Sequence, residues 1–183
     1  MINRLHSWFY RPEKGWDPVP QAHVIQYGSH EWSAGVQEAL LDELEKRIGG
    51  FAGKEVLDLG GGPGHYTIAF AKRGARVTWY DVSKNYRDFV KEKAREAGVN
   101  VEFVLGYMDD GARVLNRQFD LVFNRICWSY CIDDSSFAAV VYSLIRPGGW
   151  AYIDTNKKIA VFIYGDPKED KKEYYDEMLR ALE

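Results

Sequence analysis

Residues 55–65 read EVLDLGGGPGH. The apolar residues Val56, Leu57 and Leu59 predict a short buried strand, and four glycines with one proline follow it directly. A run of glycines costs conformational entropy on folding and packs no side chain, so it indicates that something must approach the backbone closely. This stretch therefore predicts a strand, a tight loop and a ligand site next to one another.

The segments around this loop alternate between strand and helix patterns. Strands are predicted at 55–59, 75–81, 101–106, 119–126, 150–155 and, as a sixth, 158–165. Helices are predicted at 33–48 with Ser33 as cap, 63–72, 83–97 with Ser83 as cap, 133–145 and 166–183. Apolar strands that alternate with helices indicate parallel βαβ units, and hence an α/β, three-layer, Rossmann-like and mostly parallel sheet of five or six strands.

The composition is that of a globular chain. It has 183 residues, 46% of them hydrophobic, and a formal net charge of −3, which argues against nucleic acid as the main partner. No apolar stretch is long enough for a signal peptide or a membrane span, so we expect a soluble, cytoplasmic protein without a membrane partner. The two cysteines, Cys127 and Cys131, have no His/Cys cluster near them in the sequence, so we expect reduced thiols and no metal site.

The spacing of the glycines excludes two common ligands. A dinucleotide fingerprint needs glycines at its first, third and sixth positions, but the sixth position is His65 when counted from Gly60 and Thr67 when counted from Gly62. No Gly-Lys-Ser/Thr follows, so a phosphate-binding P-loop is also excluded. A nicotinamide-dependent oxidoreductase is therefore disfavoured.

Two acids indicate a different ligand. Asp58 lies two residues before the first glycine, where it would repel a pyrophosphate but attract an amine. The start of the next helix favours a carboxylate, so an amino-acid end suits the two features together. Asp81 ends the second predicted strand, where a carboxylate typically binds ribose hydroxyls.

These motifs resemble those of the class I S-adenosylmethionine-dependent methyltransferases. The resemblance covers about residues 52–155: VLDLGGGPGH is similar to the first motif of that family, TWYDVS (78–83) to its second, FDLVFNRI to the fourth-strand motif, and LIRPGGWAYI (144–153) to the closing loop and strand. It implies a methyltransferase sheet with S-adenosyl-L-methionine as cofactor. The implied cofactor-binding residues are Asp58, Gly60, Gly61, Gly62, Gly64, Asp81, Val82, Met108, Asp109 and Asn124.

The chain departs from the family pattern in three places. Gly106 is followed by Tyr107 and Met108 before Asp109, whereas the family acid usually follows the glycine directly. Ser129 and Tyr130 stand where a Glu-His pair is common, and the Asn/Asp-Pro-Pro-aromatic motif of enzymes that methylate nucleic-acid amino groups is absent. Only 28 residues follow Thr155, so either the sheet has five or six strands or the chain is cut, and a homodimer is one way to cover the sheet edge.

The acceptor is expected to be a small organic molecule, methylated by in-line displacement. Residues 1–32 are predicted to form an irregular, aromatic-rich arm or lid over a single domain at 33–183. The predicted substrate-binding residues are Tyr10, Tyr27, Trp32, Trp128 and Tyr130, with Trp8 and Phe9 also in the arm. The candidates for a general base are Tyr130, His65, His30 and His23. A non-catalytic cofactor-binding or partner subunit with a truncated methyltransferase fold remains the alternative.

Overall fold

The computed structural model of the chain describes residues 17–131, 133–154, 160–164 and 180. The helices are α1 (Gln21–Ala34), α2 (Glu38–Ile48), α3 (His65–Lys72), α4 (Lys84–Ala97), α5 (Gly111–Leu115) and α6 (Asp134–Leu144). The strands are β1 (Glu55–Leu59), β2 (Arg76–Asp81), β3 (Val101–Leu105), β4 (Phe119–Arg125), β5 (Ile145–Asp154) and β6 (Ala160–Tyr164). Short 3-10 turns lie at Met108–Asp110 and Trp128–Tyr130.

The strands form one sheet in the order β3-β2-β1-β4-β5-β6. Its first five strands are parallel, and β6 pairs antiparallel with β5. The predicted α/β, mostly parallel sheet is therefore confirmed, with six strands in the part of the chain that the structure describes. The strand order reverses between β1 and β4, and ligands of open α/β sheets bind beside such a reversal, outside the carboxyl ends of the strands.

Apolar side chains cover both faces of the sheet, which gives the three layers. On one face, Leu44 of α2 and Phe70 of α3 pack against Leu121 and Phe123 of β4. On the other face, the core is built from α6, β1, β4 and β5, with Phe137 among its fully buried side chains. Side chains of β4 alternate between the two faces, so Asn124 and Arg125 at its carboxyl end also point to opposite sides.

Several local predictions are confirmed by the backbone. The Ser83 hydroxyl accepts a hydrogen bond from the Tyr86 amide at 3.1 Å and caps α4, and Gly98 ends that helix in the left-handed region. Helix α3 begins two residues later than predicted, because Gly64 takes a left-handed conformation with φ of 73°.

The predicted irregular arm is wrong for residues 21–32, which belong to α1. Val24 and Gly28 are the buried residues of this helix, so its apolar pattern is weak. The helix is held in place by its contacts with α4 rather than by a broad apolar face. A Cβ at Gly28 would stand 2.9 Å from the Phe89 ring, which shows how closely the two helices pack. The predicted Ser33 cap is also wrong: Ser33 lies inside α1, and Gln37 precedes α2.

Some predictions lie outside the described residues. They concern Trp8, Phe9 and Tyr10 in the arm and most of the terminal helix at 166–183. The division into an arm and a domain therefore stays a prediction.

Candidate active site

The glycine loop joins the carboxyl end of β1 to α3, directly beside the strand reversal. Gly60, Gly62 and Gly64 have φ values of 79°, 44° and 73°, a region that L side chains rarely adopt. The loop also packs too closely for side chains. A Cβ would stand 2.3 Å from Cys127 Sγ at Gly60, and 2.4 Å from Val90 Cγ1 at Gly64.

Gly61 is needed for a different reason. A Cβ there would stand 2.3 Å from the ring of Trp79, whose indole is fully buried and donates from Nε1 to the Gly62 carbonyl at 3.1 Å. Gly62 itself has only the Gly60 carbonyl nearby, at 3.9 Å. Packing against Trp79 and the hydrogen bond from its indole therefore hold the loop against the core. The backbone of the loop stays tightly turned, which allows a ligand to approach it closely.

The two acids predicted from the sequence flank this loop. Asp58 is 4% exposed and accepts a hydrogen bond from the Thr67 hydroxyl. Asp81 accepts from the Gly62 amide at 3.0 Å and from the Ser83 amide at 2.9 Å. Burial raises the pKa of Asp58 to about 7, against the lowering effect of Thr67, and burial raises the pKa of Asp81 to about 6 against its backbone hydrogen bonds.

Four side chains lie close together on the α3 side of the loop, although the sequence analysis did not predict that they meet. We call Tyr27, Glu31, His65 and Arg125 the cleft cluster. Glu31 Oε2 lies 3.6 Å from His65 Nε2 and 3.7 Å from Arg125 Nη1, and Glu31 is hydrogen bonded to Tyr27. Burial, with a smaller contribution from Arg125, lowers the pKa of His65 to about 4, so its imidazole is neutral near pH 7.

The cleft cluster lines a small open cleft above the loop, with a cavity volume of about 60 Å³. Its other lining residues are Asp58, Gly60, Gly61, Pro63, Tyr66, Phe123 and Ile126. Ile126 has φ of 68°, a strained conformation for a β-branched residue, and its exposed side chain stands at the end of β4.

Sequence reasoning missed Glu31 and Arg125. Glu31 lies in the segment predicted to be irregular, and Arg125 lies in the fourth-strand motif FDLVFNRI, in which the resemblance assigns a role only to Asn124. The carboxyl end of β4 is a position that could have marked Arg125, since a charged side chain there faces the ligand edge of the sheet.

The other side of the loop holds residues that the resemblance assigned to the cofactor. Asn124 is fully buried and donates to the Leu59 carbonyl at 2.8 Å, with Met108 Sδ 3.9 Å away. Met108 reaches the loop, since its Cε lies 3.1 Å from the position of a Cβ at Gly60. Asp109 lies nearby and is hydrogen bonded to the Cys131 thiol, whose pKa is raised chiefly by burial.

The remaining predicted residues are placed as follows. Val82 is half-buried just after β2, and Trp128 is half-buried against the core. Tyr27 is 38% exposed and stacks on His23, while His30 is exposed on α1. Tyr130 is 73% exposed, and Tyr10 lies outside the described residues.

Trp32 joins α1 to the glycine loop rather than projecting freely. Its Nε1 donates to the Pro63 carbonyl at 2.8 Å, and Lys93 Nζ lies 5.5 Å from the ring centroid. The other end of this segment is fixed by Asp17, which accepts from Ser83 Oγ at 2.8 Å and from the Asn85 amide at 3.0 Å. Residues 17–32 therefore run across the carboxyl ends of the strands, from the Asp81 side to the glycine loop.

Neither a metal-binding cluster of His, Cys, Asp and Glu nor a helix long and apolar enough to cross a membrane occurs within residues 17–131, 133–154, 160–164 and 180. Both cysteines are free thiols.

Comparison with known proteins agrees with this geometry. A family model described as a methyltransferase domain matches residues 56–149, which is more than half of the chain. The ubiquinone biosynthesis O-methyltransferase of Aeromonas salmonicida is 31% identical over 115 residues, which are 63% of this chain and 48% of that protein. The protein of the same name from Bordetella avium is 27% identical over 164 residues, which are 89% of this chain and 62% of that protein.

The chain thus spans about half to three fifths of the length of these curated relatives. Among solved structures, a SAM-dependent methyltransferase from Thiobacillus denitrificans, determined in complex with S-adenosyl-L-homocysteine, matches with a TM-score of 0.54. The two are 24% identical, and the match covers 65% of this chain and 48% of that chain. At this identity the likeness concerns the fold.

Proposed function

Because this chain belongs to the class I S-adenosylmethionine-dependent methyltransferase family, we propose that it transfers a methyl group from S-adenosyl-L-methionine to a small organic acceptor. The observation that carries the proposal is the pair of acids, buried Asp58 and half-buried Asp81, on either side of a glycine loop at the strand reversal. This arrangement suits a ligand with an amine at one end and ribose hydroxyls at the other.

The residues present fit such a cofactor. Asp58 would hold the ammonium group, the glycine loop would admit the ligand to its backbone, and Asp81 would accept hydrogen bonds from the ribose. Asn124 Oδ1 is buried without a hydrogen-bond partner among the described residues, in a side chain that lies beside Met108, so an adenine would find an acceptor there. When bound, the cofactor supplies a methyl group already activated by its sulfonium charge.

The protein's own contribution is then alignment and the exclusion of water. Helix α1 crosses above the loop, and Tyr27, Tyr66, Phe123 and Ile126 add aromatic and aliphatic surface to a cleft that also holds charged side chains. Holding donor and acceptor in a fixed geometry can lower the free-energy barrier to methyl transfer by several kcal/mol. The high effective molarities of intramolecular reactions reflect the same effect. An acceptor with one aromatic ring is the chemistry that this lining favours.

We propose oxygen as the acceptor atom, since the curated relatives carry the name O-methyltransferase. A hydroxyl nucleophile must lose its proton, and a base is needed when its pKa lies above the working pH. His65 lines the cleft with two nitrogens that have no hydrogen bond among the described residues, so its position makes it the leading candidate to accept that proton. Its lowered pKa makes it a weak base in the ligand-free protein, so this role requires the bound ligand to raise that pKa. His23 and His30 are exposed on α1, and Tyr130 is exposed after β4, which makes them weaker candidates.

Calorimetry and a methyl-transfer assay test this function. S-adenosyl-L-methionine and S-adenosyl-L-homocysteine should both bind, and catechols or hydroxybenzoates should gain a methyl group that mass spectrometry detects. An absence of binding by both ligands would contradict the proposal. Binding without turnover across a broad panel of hydroxylated acceptors would favour the cofactor-binding subunit instead.

Three further expectations belong to this proposal. The net charge of −3 favours a small molecule over nucleic acid as partner, and we expect a cytoplasmic protein. We also propose a homodimer that covers the outer edge of β6, since an uncovered edge strand invites association. Light scattering after size-exclusion chromatography tests the dimer, and a monomer at micromolar concentration would contradict it.

A further inference from the structure

Arg125 is the cation of the cleft, and its hydrogen-bonding capacity is poorly used. The β4–β5 register pairs Arg125 with Asp154 at the carboxyl ends of the two strands. Arg125 Nε lies 3.4 Å from Asp154 Oδ2, and Nη1 lies 3.7 Å from Glu31 Oε2. Both distances exceed those of a normal charged hydrogen bond, and Nε is buried without a hydrogen-bond partner among the described residues.

A second arginine of the chain, Arg73, pairs closely with acids and provides a comparison for Arg125. Arg73 contacts Glu38, Asp42 and Glu45 with nitrogen–oxygen distances of 2.7–2.8 Å. Arg125 has two carboxylates within reach but bonds neither at such a distance. Its guanidinium also stacks over the Tyr66 ring, 5.2 Å from the centroid, which fixes its plane beside the cleft.

Buried polar atoms without partners gather at the same place. Five such side-chain atoms occur in the described part of the chain, and three of them belong to His65 and Arg125. Native proteins rarely leave such groups unpaired, so a cluster of them beside an open cleft points to a polar ligand. Among the side chains that line the cleft, Glu31 and Asp58 are acids and Arg125 is the cation, so Arg125 is the side chain that can pair with an anion there.

We propose that Arg125 is the carboxylate-binding residue of this cleft, and that Glu31 holds its guanidinium loosely until a ligand carboxylate replaces it. A carboxylate matches the planar guanidinium and forms two parallel hydrogen bonds with it. Glu31 keeps its hydrogen bond with Tyr27 when Arg125 is taken, and its side chain is 17% exposed, so water can still solvate its carboxylate. This inference rests on the proposed function and specifies what its cleft recognises.

The carboxylate has two possible sources, the amino-acid end of the cofactor or an acidic acceptor. Three ligands separate the first source: S-adenosyl-L-homocysteine has an ammonium and a carboxylate, decarboxylated S-adenosylmethionine has only the ammonium, and 5′-methylthioadenosine has neither. Benzoate and benzamide, titrated into protein saturated with S-adenosyl-L-homocysteine, separate the second.

The variants are Arg125→Gln, Arg125→Lys and Glu31→Gln. Arg76→Gln is the matched control, because Arg76 also lies on a strand and pairs with an acid, Glu55, but at the opposite end of the sheet. Thermal unfolding verifies that each variant folds. If Arg125→Gln does not fold, Arg125→Lys is used in its place, since lysine keeps the positive charge but cannot form the two parallel hydrogen bonds of a guanidinium.

If the cofactor is the source, Arg125→Gln weakens binding of S-adenosyl-L-homocysteine about tenfold to a hundredfold, the usual effect of losing hydrogen bonds to a charged group. The two ligands without a carboxylate change by less than about twofold. Arg125→Lys lies in between. Glu31→Gln tightens binding of S-adenosyl-L-homocysteine by up to about fivefold, because a weak competing ion pair is removed.

If the acceptor is the source, binding of the three adenosine ligands is unchanged in Arg125→Gln, while benzoate binding is lost and benzamide binding is kept. The inference is overturned if Arg125→Gln behaves like Arg76→Gln toward every ligand. Weaker carboxylate binding in Glu31→Gln would overturn the exchange. Failure of the wild type to bind any adenosine ligand would instead refute the proposed function.

Discussion

Replacing Gly60 with alanine tests whether the glycine loop is shaped by packing as well as by backbone conformation. The new Cβ would stand 2.3 Å from Cys127 Sγ, and Gly60 has φ of 79°. A left-handed alanine costs about 1–2 kcal/mol, and overpacking of a core costs about 1–3 kcal/mol. Gly60→Ala should therefore lower the free energy of unfolding by about 2–5 kcal/mol.

The steric part of this loss can be isolated with Cys127→Ala. Removal of Sγ leaves Cys127 Cβ as the nearest part of that side chain, at 3.5 Å, an ordinary contact. The Met108 methyl at 3.1 Å is the end of a flexible side chain and can move away. In a double-mutant cycle, the pair should be more stable than the sum of the single changes by about 1–3 kcal/mol.

Urea unfolding of the four proteins measures the cycle, and Gly98→Ala supplies the control. Gly98 has φ of 67° and nothing within 4 Å of a Cβ, so its substitution reports only the cost of the backbone conformation. The reasoning would be refuted if Gly60→Ala cost no more than Gly98→Ala. Strict additivity of Gly60→Ala and Cys127→Ala would refute it equally.

Three further changes test the acids and the docking of α1. Binding of S-adenosyl-L-homocysteine should strengthen as the pH rises through about 7, because burial raises the pKa of Asp58 to about 7 and only its ionised form attracts the ammonium. In Asp58→Asn, calorimetry should show no such step near pH 7, and the remaining pH dependence should lie near pH 6, where Asp81 titrates. In the ligand-free protein the sign is opposite: the Asp58 contribution to the free energy of unfolding is lost as the pH rises through about 7, and chemical denaturation of Asp58→Asn should lack this loss. Asp81→Asn should weaken S-adenosyl-L-homocysteine and 5′-methylthioadenosine alike, by about tenfold to a hundredfold, since both carry the ribose, and an effect on only one would be inconsistent with a ribose contact. Trp32→Phe removes the hydrogen bond to Pro63 and should lower the free energy of unfolding by about 0.5–1.5 kcal/mol in urea, whereas no change would indicate that this bond does not hold α1.

The sequence predicted the core of this protein well because the signals there are local. Strand β1, the loop and Asp58 follow from eleven adjacent residues, and Ser83 and Gly98 mark the ends of α4 where the structure has them. Asp81 was found by its position at the end of a strand. Such signals depend on side-chain periodicity and turn chemistry, which act between residues close in the chain.

Other features depended on contacts between distant segments. Helix α1 has few buried residues, so its pattern did not reveal it, and it owes its place to α4 and to the bond between Trp32 and Pro63. The antiparallel direction of β6 follows from pairing with β5 rather than from its own residues.

The sequence by itself determined the α/β class, the glycine loop and the two acids, since each is written in a short stretch of chain. Only the tertiary structure placed Glu31, His65 and Arg125 in one cleft, because these residues come from α1, α3 and β4 and meet through strand order and helix packing. Burial then decided their chemistry. The pKa of Asp58 rises and that of His65 falls because removal from water disfavours the charged form of each. The degree of burial that causes these shifts depends on the tertiary structure and cannot be read from the identity of either residue.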